Sequence, residues 1–248
     1  MIAVAQLQAL IFDVDGTLAD TEMAHLAAFN HAFAEVGLAW HWDVLLYRRL
    51  LSVAGGRERV THYWRNLPAA ERTLDDEGLT HILPRIEAIK AHAYRASVEA
   101  GQVAMRPGVL SLIEEAKGLD VRLAIATTTS PSNVSALLTS ALGAQWSGYF
   151  DVVEDAGTAQ RKKPHPQVYL QALARLGLPA GECLALEDSA NGLQAAAAAD
   201  LAVVITPNDF TAHHDFSGAL RVLPDLAGVT VAALRDWHTA APASAASG

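Results

Sequence analysis

From Pro107 onward the chain alternates helix and strand, and this alternation limits the fold more than any other feature. Helical patterns fall at about 107–117, 131–142, 166–176 and 189–199, interleaved with strand runs at Val121–Ala126, around Phe150–Val153, at Cys183–Leu186 and at Leu201–Ile205. Such an order implies a parallel sheet with helices on both faces, because every crossover must return over one face of the sheet. The apolar stretch from Leu7 to Asp13 fits as a further strand, buried on both sides. Residues 21–98 break the pattern. Apolar positions there recur only at helical spacing, as in Leu26, Phe29, Phe33 and Val36 before Gly37, or Leu83, Ile86, Ile89 and Ala93. The expected architecture is therefore an α/β, Rossmann-like core from residues 1–20 and 99–225, with an all-α block, 21–98, inserted after the first strand. Residues 239–248 are rich in Ala, Ser and Pro and are expected to form a disordered tail.

Parallel sheets of this kind bind ligands beyond the carboxyl ends of their strands, and four chemically distinctive segments stand there. Asp13-Val14-Asp15-Gly16-Thr17 places two carboxylates two residues apart, on one side of a strand end. The glycine lets the chain turn and leaves N–H groups for an anion, although Asp-Gly is also an ordinary turn signal. Thr127-Thr128-Thr129 offers hydroxyls and N–H groups to phosphate oxygens, or is simply β-prone. Lys163, in Arg161-Lys162-Lys163-Pro164, is a candidate phosphate ligand or part of a solvated basic loop. Glu187-Asp188-Ser189 ends another strand as an acid pair, and Asp188 or Ser189 equally suits a helix N-cap. Their shared face singles out the set, which suits chemistry on a phosphate ester.

Composition narrows the partners. A formal charge of -9 argues against nucleic acid, which requires a basic face, but a local cluster of cations still accommodates a phosphorylated small molecule. The single cysteine, Cys183, excludes an internal disulfide and is expected to be a packed thiol. No apolar run approaches the ~20 residues of a membrane span, and the N-terminus lacks the basic region of a signal peptide. A cytoplasmic monomer without membrane contact is expected. His213 and His214 lack metal-ligand spacing and are expected in a loop or at the surface. Trp40, Trp42 and Trp64 are expected in the core of the helical block.

Taken in order, Asp13-x-Asp15-Gly16-Thr17, Thr127, Lys163-Pro164 and Glu187-Asp188 resemble the four motifs of the haloacid dehalogenase-like superfamily, over residues from about 7 to 222. The helical block resembles the cap of that superfamily's phosphoglucomutase-like and phosphatase branch. Asp20-Thr21-Glu22-x-x-His25 and Lys163-Pro164-x-Pro166 further resemble the CbbY sugar phosphatases, whose activity is hydrolysis of xylulose 1,5-bisphosphate, an inhibitory by-product of Rubisco. β-Phosphoglucomutase and phosphoglycolate phosphatase are near relatives in the same branch.

The resemblance implies that Asp13 is the nucleophile, forming an aspartyl phosphate, and that Asp15 is the general acid and then base. It implies Mg²⁺ as cofactor, held by Asp13, the backbone carbonyl of Asp15, Asp188 and, through water, Glu187, with Ser189 or Asn191 in support. Thr127 and the Thr128 N–H would grip the phosphoryl group, and Lys163 would bridge it to Asp13. Cations are required there, since two like charges 4 Å apart repel by roughly 4 kcal/mol at an effective dielectric near 20. In the cap, Glu22 and His25 are expected at the sugar hydroxyls and Arg57 and Lys90 at a remote phosphate. Tyr47, Arg48 and Arg49 form an alternative set, and each of these charges also suits a solvated surface.

Three functions follow. The first is a Mg²⁺-dependent sugar-bisphosphate phosphatase, and the second is a phosphoglucomutase on the same fold. The third, a receiver-type signalling domain that accepts a phosphoryl group, needs neither a cap nor the second acid Asp15.

Overall fold

The computed structural model describes residues 6–240. Residues 1–5, which carry the signal-peptide reading, and residues 241–248 of the expected tail lie outside it. Thr239 and Ala240, assigned to that tail, instead close the last helix.

Six parallel strands form one sheet: β1 (Ala9–Phe12), β2 (Arg122–Ala126), β3 (Val152–Glu154), β4 (Cys183–Glu187), β5 (Ala202–Ile205) and β6 (Arg221–Val222), in the order β3-β2-β1-β4-β5-β6. Alternate residues of β1 feed two separate cores, as the two-residue period of a strand requires. Leu10 and Phe12 pack with α5 (Val109–Gly118), α6 (Pro131–Leu142) and α9 (Val231–Ala240) through Leu112, Leu137 and Leu234. Ala9 and Ile11 face the other way, toward α7 (Gln167–Leu176) and α8 (Ala190–Ala197), through Val168, Tyr169 and Leu193. Alanines at 9, 124, 126 and 185 line this second face, and the small side chains leave room for the fully buried ring of Tyr169.

Register carries the strand ends to one edge. Phe12 pairs with Ile125 of β2 and with Leu186 of β4, so Asp13 and Glu187 emerge level with Ala126, and Thr127 follows one residue further on.

The helical block comprises α1 (Glu22–Glu35), α2 (Val44–Leu50), α3 (Gly56–Asn66) and α4 (Asp76–Glu99). It has its own core, in which Trp40, Trp42 and Trp64 pack with Phe29, Phe33 and Ile86. Asn30 ties down the chain between helices by bonding both the N–H and the carbonyl of Trp42, each at 2.8 Å. Helix α4 starts where the Asp75 carboxylate accepts the Gly78 N–H at 2.8 Å, and it tolerates Pro84 in its interior. Two chain segments join block to sheet, and they pair with each other: Ala19 bridges Met105, and the Arg106 N–H reaches the Leu18 carbonyl at 2.9 Å.

Helix α5 begins at Val109 rather than at Pro107, after a left-handed Gly108. Strand β6 and helix α9 had no counterpart in the sequence reading. Both residues of β6 are exposed, so no apolar run marks it.

Candidate active site

The ammonium of Lys163 lies at the centre of the strand ends. Its Nζ donates to Asp13 Oδ1 at 2.6 Å, to Glu187 Oε1 at 2.5 Å and to the Ala126 carbonyl at 2.8 Å. Glu187 is fully engaged, because Oε1 also accepts the Tyr169 hydroxyl at 2.6 Å and Oε2 accepts the Asp188 N–H at 3.2 Å. It sits directly under α8, where a Cβ at Gly192 would come 2.0 Å from its carboxyl carbon. Ser189 rather than Asp188 caps that helix, accepting the Gly192 N–H at 3.1 Å. The Asp188 carboxylate is thereby free to face Asp13, and Asn208 donates to its Oδ2 at 2.8 Å. Gly16 makes the turn after Asp15 possible. Its φ of +81° suits glycine, and any Cβ there would strike Asp188 Oδ2 at 2.4 Å.

Burial and crowding set the protonation of these groups. Desolvation pushes the Asp13 carboxyl up to about 7, with Glu187 adding to it and Lys163 opposing. Asp188 is driven well above the usual carboxylate range by burial, then by Glu187 and Asp13. Lys163 loses some basicity to burial but gains more from Asp13 and Glu187, and it stays protonated. Asp15 differs: burial raises it, but the charge and hydrogen bond of His25 overcome that and hold it well below the carboxylate range.

Oxygen atoms of Asp13, Glu187 and Asp188 all lie within 4.8 Å of one another, and all three residues are buried. Among the described residues Lys163 is the one ammonium bridging them, which leaves excess negative charge in a low-dielectric pocket. A hard divalent cation fits this all-oxygen donor set and would offset the burial and the mutual repulsion that raise Asp13 and Asp188.

A cavity of about 490 Å³ opens above these groups, between the strand ends and the helical block. Of the sequence-predicted residues, Asp13, Asp15, Glu22, His25, Arg57, Lys90, Thr127, Thr128, Lys163 and Asp188 line it. His25 Nε2 bonds Asp15 Oδ1 at 2.9 Å, Lys90 Nζ reaches His25 Nδ1 at 2.9 Å, and the imidazole stacks on Tyr94 with ring centroids 4.2 Å apart. Arg57 pairs with Glu87 on α4, Nε to Oε1 at 3.1 Å, at the exposed rim. Tyr47 does not line the cavity. It is fully buried behind Glu22, to which its hydroxyl donates at 2.8 Å. Glu187 lies beneath the floor.

Several lining or supporting residues were not anticipated. Arg59 lines the cavity and donates to the Tyr47 hydroxyl at 3.3 Å, and Lys162 binds Glu58 of the block at 2.5 Å. His214 lies in a loop, as expected, yet it lines the cavity and accepts the Ala190 N–H at 3.3 Å. Tyr169 carried a readable signal as a buried position on α7, but its partner Glu187 is 18 residues away in the chain. Cys183 is buried, and its thiol is pushed up to about 12 by desolvation. Among the described residues no helix is long and apolar enough to cross a membrane.

Residues 7–200 match the family described as haloacid dehalogenase-like hydrolase. The plasmid-encoded CbbY protein of Cupriavidus necator is 52% identical over 248 residues, spanning 94% of this chain and 97% of the relative. The crystal structure of CbbY from Rhodobacter sphaeroides in complex with phosphate is 40% identical, with a TM-score of 0.85 over 92% of this chain and 99% of that one. A mutant of the same protein in complex with xylulose-(1,5)bisphosphate matches at 0.84 and 40% identity, with the same coverage of 92% and 99%. Fold and family together define a phosphatase, a phosphoric monoester hydrolase. The chain belongs to the haloacid dehalogenase-like hydrolases and, within them, to the CbbY proteins.

Proposed function

We propose that this phosphatase removes one phosphate from a sugar bisphosphate, xylulose 1,5-bisphosphate, giving xylulose 5-phosphate and disposing of a Rubisco inhibitor. The observation that carries this reading is one cavity of about 490 Å³ lined both by the strand-end groups Asp13, Thr127 and Lys163 and by the cations Arg57 and Arg59 of the helical block, with Lys162. A substrate with a second anionic group suits cations on the helical block as well as at the strand ends, and the relative that binds xylulose bisphosphate supports the choice of sugar.

In this reading residues 21–98 are a substrate-selecting cap over a catalytic core of residues 1–20 and 99–225. Mg²⁺ would be held by the carboxylates of Asp13 and Asp188, the Asp15 backbone carbonyl and, through water, Glu187. When bound it supplies the positive charge that lets these carboxylates and a phosphoryl group share one pocket.

Asp13 attacks phosphorus, the P–O bond to the sugar breaks, and the departing oxygen takes a proton delivered at Asp15. Asp15 is an anion in the free protein, so the incoming phosphoryl charge must raise its proton affinity before it can deliver that proton. In the second half Asp15 takes a proton from water, whose oxygen attacks phosphorus and breaks the bond to Asp13. Thr127 and the Thr128 N–H hold the phosphoryl oxygens, and Lys163 keeps Asp13 aligned. Glu22 meets the sugar hydroxyls, His25 stays on Asp15 with Lys90 behind it, and Arg57 exchanges Glu87 for the remote phosphate.

A phosphate-release assay over xylulose 1,5-bisphosphate, ribulose 1,5-bisphosphate, phosphoglycolate and glucose phosphates tests the reading. Preferential release from the xylulose compound is expected. Equal cleavage of the ribulose isomer would remove the Rubisco-protecting role, and interconversion of glucose phosphates without phosphate release would mark a mutase.

A further inference from the structure

The loop that follows β5 touches three parts of the molecule at once. Its base is held by the buried guanidinium of Arg106, which donates to Thr206 Oγ1 at 3.0 Å, to the Pro207 carbonyl at 2.8 Å and to the Gly16 carbonyl at 2.6 Å. One residue further, both ends of the Asn208 amide are committed. Nδ2 donates to Asp188 Oδ2 at 2.8 Å, and Oδ1 accepts the Phe210 N–H at 2.8 Å. The Asn208 N–H is itself bound by Thr211 Oγ1 at 3.0 Å.

Phe210 belongs to the sheet side of the chain, yet its side chain is 8% exposed because it is packed into the core of the helical block. Its ring meets Tyr47 edge-on at 5.9 Å, with the Arg48 guanidinium 5.9 Å from its centroid. Tyr47 in turn supports Glu22 on the cavity wall. Because the Asn208 amide that holds Asp188 also accepts the Phe210 N–H, a displacement of Phe210 is passed directly to that amide.

We propose that Asn208 and Phe210 are positioning residues that couple the seating of the helical block to the orientation of the Asp188 carboxylate. Docking of Phe210 beside Tyr47 holds the turn, and the turn holds Asp188 toward Asp13. Loss of the Phe210 contact therefore loosens the metal-binding acids, although Phe210 touches neither substrate nor metal. The inference rests on the assignment of Asp188 as a Mg²⁺ ligand.

The test is calorimetric titration of MgCl₂ into the substrate-free full chain, with kcat, KM and melting temperature measured alongside. Phe210→Ala is expected to weaken Mg²⁺ binding at least fivefold and to lower kcat, and Phe210→Leu, which refills the site, to recover to within twofold of the parent. Asn208→Ala is expected to weaken binding to a similar degree, with the double variant no more than twofold worse than either single one. If Phe210→Ala does not fold, Phe210→Val serves in its place, with a loss between those of Leu and Ala. Unchanged Mg²⁺ affinity in the folded Phe210 variants, or additive losses in the double variant, would overturn the coupling while leaving the metal assignment intact. Failure of the parent protein to bind Mg²⁺ would overturn the assignment, and the coupling with it.

Discussion

His25, on the first helix of the inserted block, bonds Asp15, at the end of the first strand, with Nε2 and Oδ1 2.9 Å apart. The proposed acid/base group is thus held by the block and not only by its own strand. His25 is in turn fixed by Lys90 on α4 and by stacking on Tyr94. Removing the imidazole leaves Asp15 without its main hydrogen-bond partner. His25→Asn is expected to lower kcat/KM by about 10²-fold, the lower end of the range of about 10²- to 10⁴-fold for an acid–base element, with little change in melting temperature. Steady-state kinetics check this, and a loss under threefold would show that Asp15 works unaided.

Lys90 gives this chain of contacts a pH dependence. Burial lowers its pKa from 10.5 to about 8, with Arg59 adding to the effect and Asp15 opposing it. Between those two pH values the folded protein binds fewer protons at Lys90 than the unfolded chain does, so this group's contribution to stability rises with pH. Activity should move the other way, because neutral Lys90 no longer supports the Asp15 anion through His25. A fall in kcat/KM of roughly tenfold, one pKa unit of interaction, is expected above pH 8. The pH–rate profile of Lys90→Gln should lack that limb.

Asp13→Asn separates chemistry from folding. The wild-type carboxyl is raised to about 7, so between 3.8 and 7 the folded state holds the extra proton and stability drains away as pH rises. The amide removes that drain and leaves Lys163 paired with Glu187. Turnover is expected to fall by at least about 10⁴-fold, as for loss of a nucleophile, while the melting temperature at pH 8 is equal or higher. Phosphate release and thermal melts measure the two effects, and retained turnover would rule out the aspartyl phosphate.

Tyr169→Phe keeps the buried ring and deletes one donor to Glu187. A hydrogen bond to a buried carboxylate contributes about 1.5–3 kcal/mol, and denaturant unfolding should show a loss in that range. Because Glu187 also holds Lys163, kcat should fall while KM stays nearly constant. A variant as stable and as active as the parent would show that Lys163 and the Asp188 N–H suffice to hold Glu187.

Much of the fold was legible because periodicity is local. The alternation after Pro107 marked four later strands within a residue or two, and the helical spacing between residues 21 and 98 marked the insertion. What escaped had no local signature. Strand β6 is two exposed residues at a sheet edge, and the start of α5 is displaced by Gly108, whose left-handed backbone packs against Leu226. In the site, strand-end motifs brought Asp13, Thr127, Lys163 and Asp188 to one cavity, whereas the charges of the block could be named but not paired. Arg57 faces Glu87 thirty residues away, and Tyr47 lies behind Glu22 rather than on the cavity wall.

By itself the sequence determined a parallel sheet with carboxylates, threonines and a lysine at its strand ends, because side-chain period and strand polarity follow from neighbours along the chain. It also determined the haloacid dehalogenase-like resemblance that those motifs carry. Only the tertiary structure decided which charges neutralise one another: Lys163 between Asp13 and Glu187, His25 on Asp15, Asn208 on Asp188. Those pairings depend on burial and on distances between segments far apart in sequence, where a low dielectric makes each partner decisive.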